Sequence, residues 1–325
     1  MPNPVLVEVT RGELVESIHR GAIAVADAQG VIRFALGDVE TPVYTRSALK
    51  PIQALPLVES GAAEAFGVSD EEVALACASH SGEAMHTERV AAWLARIGCS
   101  EADLICGPQI PRYEPTSQAM AATQQKPSRL HNNCSGKHAG FLTVAKHLGA
   151  PIADYVAIGH PVQQAVLKAV TRLSGYADPA WGIDGCAAPN FALPLAAFAR
   201  ALARLAGYQT PGASRILRAM TAYPELVAGT GRHGTALMRA ANGKAAAKFG
   251  AEGVYAAMLP ELGLGVALKI DDGAMRGAET AIAVILEKLN VIAASAGLAR
   301  APVINTRGMA VGECRAAEAL RGIEL

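Results

Sequence analysis

The chain of 325 residues is 51% hydrophobic and only 18% charged, which describes a compact globular protein with a sizeable core and excludes a disordered one. Lysine plus arginine (29) balances aspartate plus glutamate (29), and no basic run breaks the balance. Neither a nucleic-acid nor a membrane-surface partner is therefore expected.

The opening Met1-Pro2-Asn3-Pro4 has no charged region followed by an apolar core, so it does not read as a signal peptide. The longest apolar stretch, residues 187–205, is broken by Pro189, Pro194 and two arginines and does not read as a membrane span. A cytoplasmic protein is expected, with its six cysteines (Cys77, Cys99, Cys106, Cys134, Cys186, Cys314) mostly reduced.

In chain order, residues 5–9, 14–18, 21–27 and 31–36 are β-rich runs, the last two joined by a hairpin turn at Ala28-Gln29-Gly30. Spacing this close implies antiparallel pairing. From Ser47 the character turns helical. Residues 52–60 end at Gly61, 85–97 at Gly98 and 137–148 at Gly149, while 161–173 and 194–205 each open on proline. Residues 71–77 fit either a helix or a buried strand. Strand signals return at 234–239 and 245–249, on either side of an Asn242-Gly243 step, and at 254–259 and 265–270. A final helix is expected over 278–294.

Strands at both ends and helices between them predict an α+β fold: an antiparallel sheet built from both chain ends, flanked by helices, with a helical subdomain inserted. One catalytic domain is expected, with its sheet region at about 1–46 and 215–325 and its helical region at about 47–214. The seam between sheet and helices is where a site is expected.

Four stretches carry side chains suited to chemistry. Ser47-Ala48-Leu49-Lys50 places a hydroxyl and an amine on one helical face. A lysine buried in such a site loses the hydration that stabilises its charge, and its neutral form can take the serine proton. Thirteen serines and nine lysines make roughly 0.4 such matches by chance, so the pattern decides nothing alone. Pro51 disfavours helical geometry at Lys50, which puts the pair in a tight turn before the helix.

Ala78-Ser79-His80-Ser81-Gly82-Glu83 offers a second serine and a histidine, with Ser81 placed to cap the helix that follows. His131-Asn132-Asn133-Cys134-Ser135-Gly136-Lys137-His138 is the densest polar cluster. It could orient a carboxylate or amide, or bind a metal through Cys134 and His138, one helical turn apart. Gly182-Ile183-Asp184-Gly185-Cys186 adds a carboxylate and a thiol, either as ligand groups or as an Asp-Gly turn beside a buried cysteine. Lys248-Phe249-Gly250 lies at an expected strand edge. Serine acylating enzymes of the β-lactamase type combine Ser-x-x-Lys with Lys-Thr-Gly, and here the threonine is missing.

These motifs, with Pro224-Glu225-Leu226-Val227-Ala228-Gly229 and the stretch from Lys248 to Gly253, make the chain resemble the rhizobial-type (class 3) L-asparaginases over nearly its whole length. The resemblance implies a serine β-lactamase- and glutaminase-like fold, a homodimer, and hydrolysis of L-asparagine to L-aspartate and ammonia. It implies two serine–lysine pairs, Ser47 with Lys50 and Ser79 with Lys248, and zinc held by Cys134, Lys137 and Cys186. Spacing alone favours His138 as the ligand instead. Arg46, His80, Asn133, His138 and Asp184 are the expected substrate contacts. The zinc is expected to orient substrate or support structure, not to supply the nucleophile. Family members can carry a cysteine in the stretch that here reads Gly231-Arg232-His233-Gly234-Thr235. Its absence is expected to alter affinity or pH dependence. The rival readings are a glutaminase or β-lactam-reactive serine hydrolase, and a non-catalytic zinc or amino-acid binding protein.

Overall fold

The computed structural model describes residues 2–325, which divide into two compact units. One unit holds the chain up to Ala48, Ala192–Gly207 and Ala236–Leu325; the other holds Leu49–Phe191 and Tyr208–Thr235.

The first unit is built on an eight-stranded antiparallel sheet. Its strands are β1 (Val5–Arg11), β2 (Leu14–Asp27), β3 (Ile32–Leu36), β7 (Ala246–Phe249), β8 (Val254–Leu259), β9 (Leu264–Ile270), β10 (Ala301–Ile304) and β11 (Ala310–Ala316). The intervening β4 (Val43–Tyr44), β5 (Trp181–Ile183) and β6 (Pro189–Leu193) lie outside this sheet. The sheet order is β10-β11-β1-β2-β9-β8-β7, with β3 also on β2. Both chain ends therefore contribute, as the α+β reading expects. Strand β8 is buried at every position, because the helices Leu195–Ala206 and Met275–Lys288 both pack on it. The β2–β3 hairpin forms where the turn residues put it: Gly30 adopts φ 86°, and the Asp27 amide donates to the Val31 carbonyl at 3.0 Å.

Several elements differ from expectation. β2 is one strand of 14 residues, not two. Its polar middle stays in the sheet because His19 is buried and pinned, with Nδ1 2.6 Å from Asp272 and Nε2 accepting from Arg276 at 2.8 Å. Residues 234–239, read as a strand, lie in the helix His233–Ala241. Alanine, leucine, methionine and arginine favour helix there, and Leu237, Met238 and Ala241 are buried. The Asn242-Gly243 step closes that helix with φ 46° and 87° and makes no hairpin. The helix expected over 278–294 is Met275–Lys288, stopping ahead of Asn290 at φ 57°, and a short helix, Glu318–Arg321, follows it near the end of the chain. Residues 194–205, assigned to the helical region, pack on the sheet, while residues 215–222, assigned to the sheet region, belong to the helix Ala213–Ala222 of the second unit.

The second unit packs helices around Ser135–His147, which is buried continuously from Ser135 to Ala145. A helix enclosed on all sides is normally apolar throughout. This one begins with Ser135, Lys137 and His138, and those polar groups need partners. The ambiguous 71–77 stretch is the helix Asp70–Ala76, started by a capping box between Ser69 and Glu72. Among the described residues no helix is long and apolar enough to cross a membrane.

Candidate active site

Ser47 lies in a single 3-10 turn, Arg46–Leu49, and Lys50 opens the α-helical turn Lys50–Gln53 with Pro51 in its first positions. The serine and lysine thus straddle a change of helix type: Ser47 precedes the α-helix as expected, but Lys50 is its first residue rather than lying before it, because proline is tolerated in the first turn, where its missing N–H costs no hydrogen bond. Arg46 takes φ 49°, a conformation costly for a side-chain-bearing residue, and its guanidinium lies 3.9 Å from Glu252. Gly250 packs on this same turn. A Cβ at position 250 would sit 3.1 Å from the Thr45 carbonyl oxygen and 3.2 Å from the Ala48 nitrogen. The strand that ends just before Gly250 is β7, on the sheet edge, and carries Lys248. Lys248 is fully buried, donates to the Phe249 carbonyl at 2.7 Å and sits 4.0 Å above the Phe249 ring.

Lys50 is also fully buried. Its amine donates to the Ala78 carbonyl and, at 3.0 Å, to the Ser79 hydroxyl. The sequence motifs do not point to this contact, since Ser79 lies 29 positions further along the chain.

The polar start of Ser135–His147 reaches the same neighbourhood because of Gly136. A Cβ there would lie 2.4 Å from the Leu75 carbonyl oxygen, so only glycine lets this helix lie against the end of Asp70–Ala76, just ahead of Ser79. The expected metal ligands do gather. The Lys137 amine lies 3.1 Å from the Cys186 sulfur, and the Cys134 thiol lies 3.0 Å from Asn133 Oδ1 and also hydrogen-bonds Cys186. That hydrogen bond pushes the Cys134 thiol up to about 12 and, with the Lys137 charge, holds Cys186 well below the usual thiol range. Burial works against the charge on Lys137, but the two sulfurs outweigh it and hold the amine above its ordinary range. Both directions favour the charged forms, an ammonium beside a thiolate.

Two sulfurs and an amine form a soft donor set that fits zinc, provided Lys137 and Cys134 give up their protons. Among the described residues no three histidine, cysteine, aspartate or glutamate side chains form such a group. His138, favoured as a ligand by spacing, instead hydrogen-bonds through Nδ1 to the Tyr155 hydroxyl at 2.7 Å, and that hydroxyl also accepts from the Ile105 amide. Burial lowers its pKa to about 3, and its Nε2 has no hydrogen-bond partner among the described residues. Asp184 sits at the mouth of the β5–β6 turn, accepts from the Gly185 amide at 2.8 Å, and lies close enough to Lys137 to favour its charge. The Asn133 amide is held by Gln109 at 3.1 Å.

His80 is not free to act as a base. Its Nδ1 accepts from the Gly82 amide at 3.2 Å, which leaves Nε2 as the donor to Ser135 Oγ at 2.9 Å; that hydroxyl in turn donates to the Leu130 carbonyl at 3.0 Å. His86 stacks on it at 4.7 Å, its own nitrogens taken by the Glu83 amide and the Glu225 carbonyl. Ser81 does not cap the helix Ala84–Arg96. Its hydroxyl donates to the Ala228 carbonyl at 3.0 Å, and Glu83 is the cap residue.

Burial, with the neighbouring charges, holds His80 well below 6.5 and His86 below it as well. Depressed histidine values mean that the unfolded chain takes up protons first, so their stabilising effect is complete above 6.5 and is lost as pH falls below it. Resistance to denaturant is expected to drop between pH 7.5 and 5. His86→Gln should narrow that gap. Equal midpoints at the two pH values would contradict the assignment.

A family model for L-asparaginase II matches residues 7–316. The chain belongs to the L-asparaginase II family. Membership supports an amidohydrolase function. No curated protein matches the sequence. Among solved structures this L-asparaginase II family member is similar to Mglu in its native form in the presence of 4.3 M NaCl, at 16% identity over 83% of this chain and 61% of that chain, TM-score 0.46. It is also similar to Mglu in its native form, at 16% identity over 89% of this chain and 69% of that one, TM-score 0.49. The chain thus spans 61% of the length of the first of these structures.

The structure adds two residues to this family member's site that motif reading misses. Tyr155 orients His138, and Cys106 lies near Cys134 and Cys186, its thiol pushed up to about 12 by burial and by those sulfurs. An isolated tyrosine and a lone cysteine carry no spacing signal, so neither was legible beforehand.

Proposed function

We propose that the protein hydrolyses the side-chain amide of L-asparagine to L-aspartate and ammonia through a serine acyl-enzyme. The observation that carries this reading is the buried Lys50 amine, 3.0 Å from one serine hydroxyl and preceded in the chain by another on a Ser-x-x-Lys turn. In the proposed reaction Lys50 takes the Ser47 proton, the serine oxygen attacks the amide carbon, and ammonia leaves with a proton returned to it. Water then cleaves the β-aspartyl ester. Ser79 holds the Lys50 amine and passes protons, with Lys248 as a second amine in that relay. Arg46 and Asn133 orient the substrate, and Asp184 pairs with its α-amino group. Amides at the start of the helix that follows the polar cluster favour the developing oxyanion.

Cys134, Lys137 and Cys186 would hold zinc, which supplies a fixed positive charge for orienting a substrate carboxylate. A homodimer working in the cytoplasm completes the proposal.

A second assignment of the same chemistry makes Ser79 the nucleophile, and its hydrogen bond to Lys50 favours it. Ammonia release from asparagine and glutamine, on protein of measured metal content, tests the substrate. Mass spectrometry of Ser47→Ala and Ser79→Ala under turnover tests the nucleophile. Asparagine turnover is expected, with the acyl adduct absent only from Ser47→Ala. An adduct retained in Ser47→Ala and lost in Ser79→Ala reverses the serine roles. Glutamine as the better substrate, or no ammonia from either, would overturn the asparaginase reading.

A further inference from the structure

The sheet unit contains a cleft of about 500 Å³ at the C-terminal end of the helix Met275–Lys288, a volume typical of a small-molecule site. Its walls come from that helix, the segment 294–300, strand β11 and the last helix, Glu318–Arg321, all within one unit. Its lining combines an apolar part, including Val284 and Ala299, with four cations: Lys288, Arg300, Arg315 and Arg321.

These cations differ in how well they are balanced. Arg315 is held by Glu8 at 2.8 Å and Glu313 at 3.2 Å, and Arg300 lies 3.7 Å from the same Glu313. Lys288 donates to a neutral group, the Ile323 carbonyl at 2.9 Å, and has no carboxylate partner among the described residues. That bond ties the Lys288 amine to the chain just beyond Arg321. Arg321 forms no ion pair among the described residues. Glu287 also lines the cleft; burial raises its carboxyl pKa and the Arg300 guanidinium lowers it, so its charge is set against Arg300 rather than against Lys288 or Arg321.

Two unbalanced cations beside an apolar wall suit one compact group carrying two negative charges, attached to a body with an apolar face. A phosphate ester has that form, and a guanidinium can bind its oxygens in pairs. The geometry points to a second ligand site here, built for a small organic phosphate ester with an apolar face, for which adenosine 5′-monophosphate serves as the probe.

Calorimetric titration of the full chain with adenosine 5′-monophosphate at low salt is the test. Saturable binding is expected, weakening as salt rises, with adenosine alone binding far less. The double variant Lys288→Glu/Arg321→Glu should lose affinity by about tenfold or more, and Arg321→Gln by less, with ammonia release unchanged in both. No binding up to about 5 mM nucleotide would overturn the proposal, as would equal affinity in the double variant. Inorganic phosphate binding as tightly as the nucleotide would remove the organic body from it.

Discussion

If the proposed asparaginase chemistry holds, Lys50→Met is expected to lower kcat for asparagine by about 10³–10⁴-fold while leaving a folded protein, because it removes the proposed general base and keeps the side-chain volume. The reason lies in the partners of the Lys50 amine. It is fully buried and meets the Ser79 hydroxyl and the Ala78 carbonyl, so bulk water has no route to replace it. Methionine reaches the same depth without a donor. Removing a desolvated polar amine and losing two hydrogen bonds act in opposite directions on stability, so the net change should stay within about 2 kcal/mol. Steady-state kinetics with a thermal melt separates the two effects. Activity within tenfold of the parent would remove Lys50 from the mechanism.

Gly136→Ala should have the largest effect on stability. The added methyl would stand 2.4 Å from the Leu75 carbonyl oxygen and 2.7 Å from its carbon, both of them backbone atoms that no rotamer change can move away. The helix Ser135–His147 must then shift off Asp70–Ala76, at a cost of about 3 kcal/mol. Since Cys134 and Lys137 ride on the shifted end, activity and metal uptake should fall together with the denaturant midpoint. A variant within about 0.5 kcal/mol of the parent would show that the two helices separate without strain.

Much of this architecture was legible, and the failures have physical causes. The β2–β3 hairpin was readable because its glycine and its apolar flanks act locally. The strands β10 and β11 were not, since Glu313 and Arg315 interrupt the apolar pattern and are stabilised by partners remote in sequence: Arg315 bonds Glu8 at 2.8 Å across the β1–β11 register. The helix His233–Ala241 was misread because six residues of mixed polarity fit either period.

At the site, the residue types in the motifs were readable while their pairings were not. Spacing shows that Ser47 and Lys50 are neighbours, but the Lys50–Ser79 bond depends on how the intervening helices fold back. His80 and His138 illustrate the same limit. Each has the residue type of a base or a ligand, yet amides and hydroxyls contributed by Gly82, Ser135 and Tyr155 hold their rings in place.

The sheet order also governs the sequence of events during synthesis. β1 and β2 leave the ribosome first, but their antiparallel neighbours β11 and β9 come from the far end of the chain. At about 5–20 residues per second, β1 waits on the order of 15–60 s for β11 to be made. Through that interval β2 has β1 and β3 beside it, but its other long edge stays open until β9 arrives. Nascent chains therefore carry an exposed strand edge while Leu49–Phe191 is already available to pack. Pairing over such separations is slow, so production of this protein should depend more on chaperone capacity and temperature than on the strength of its finished core.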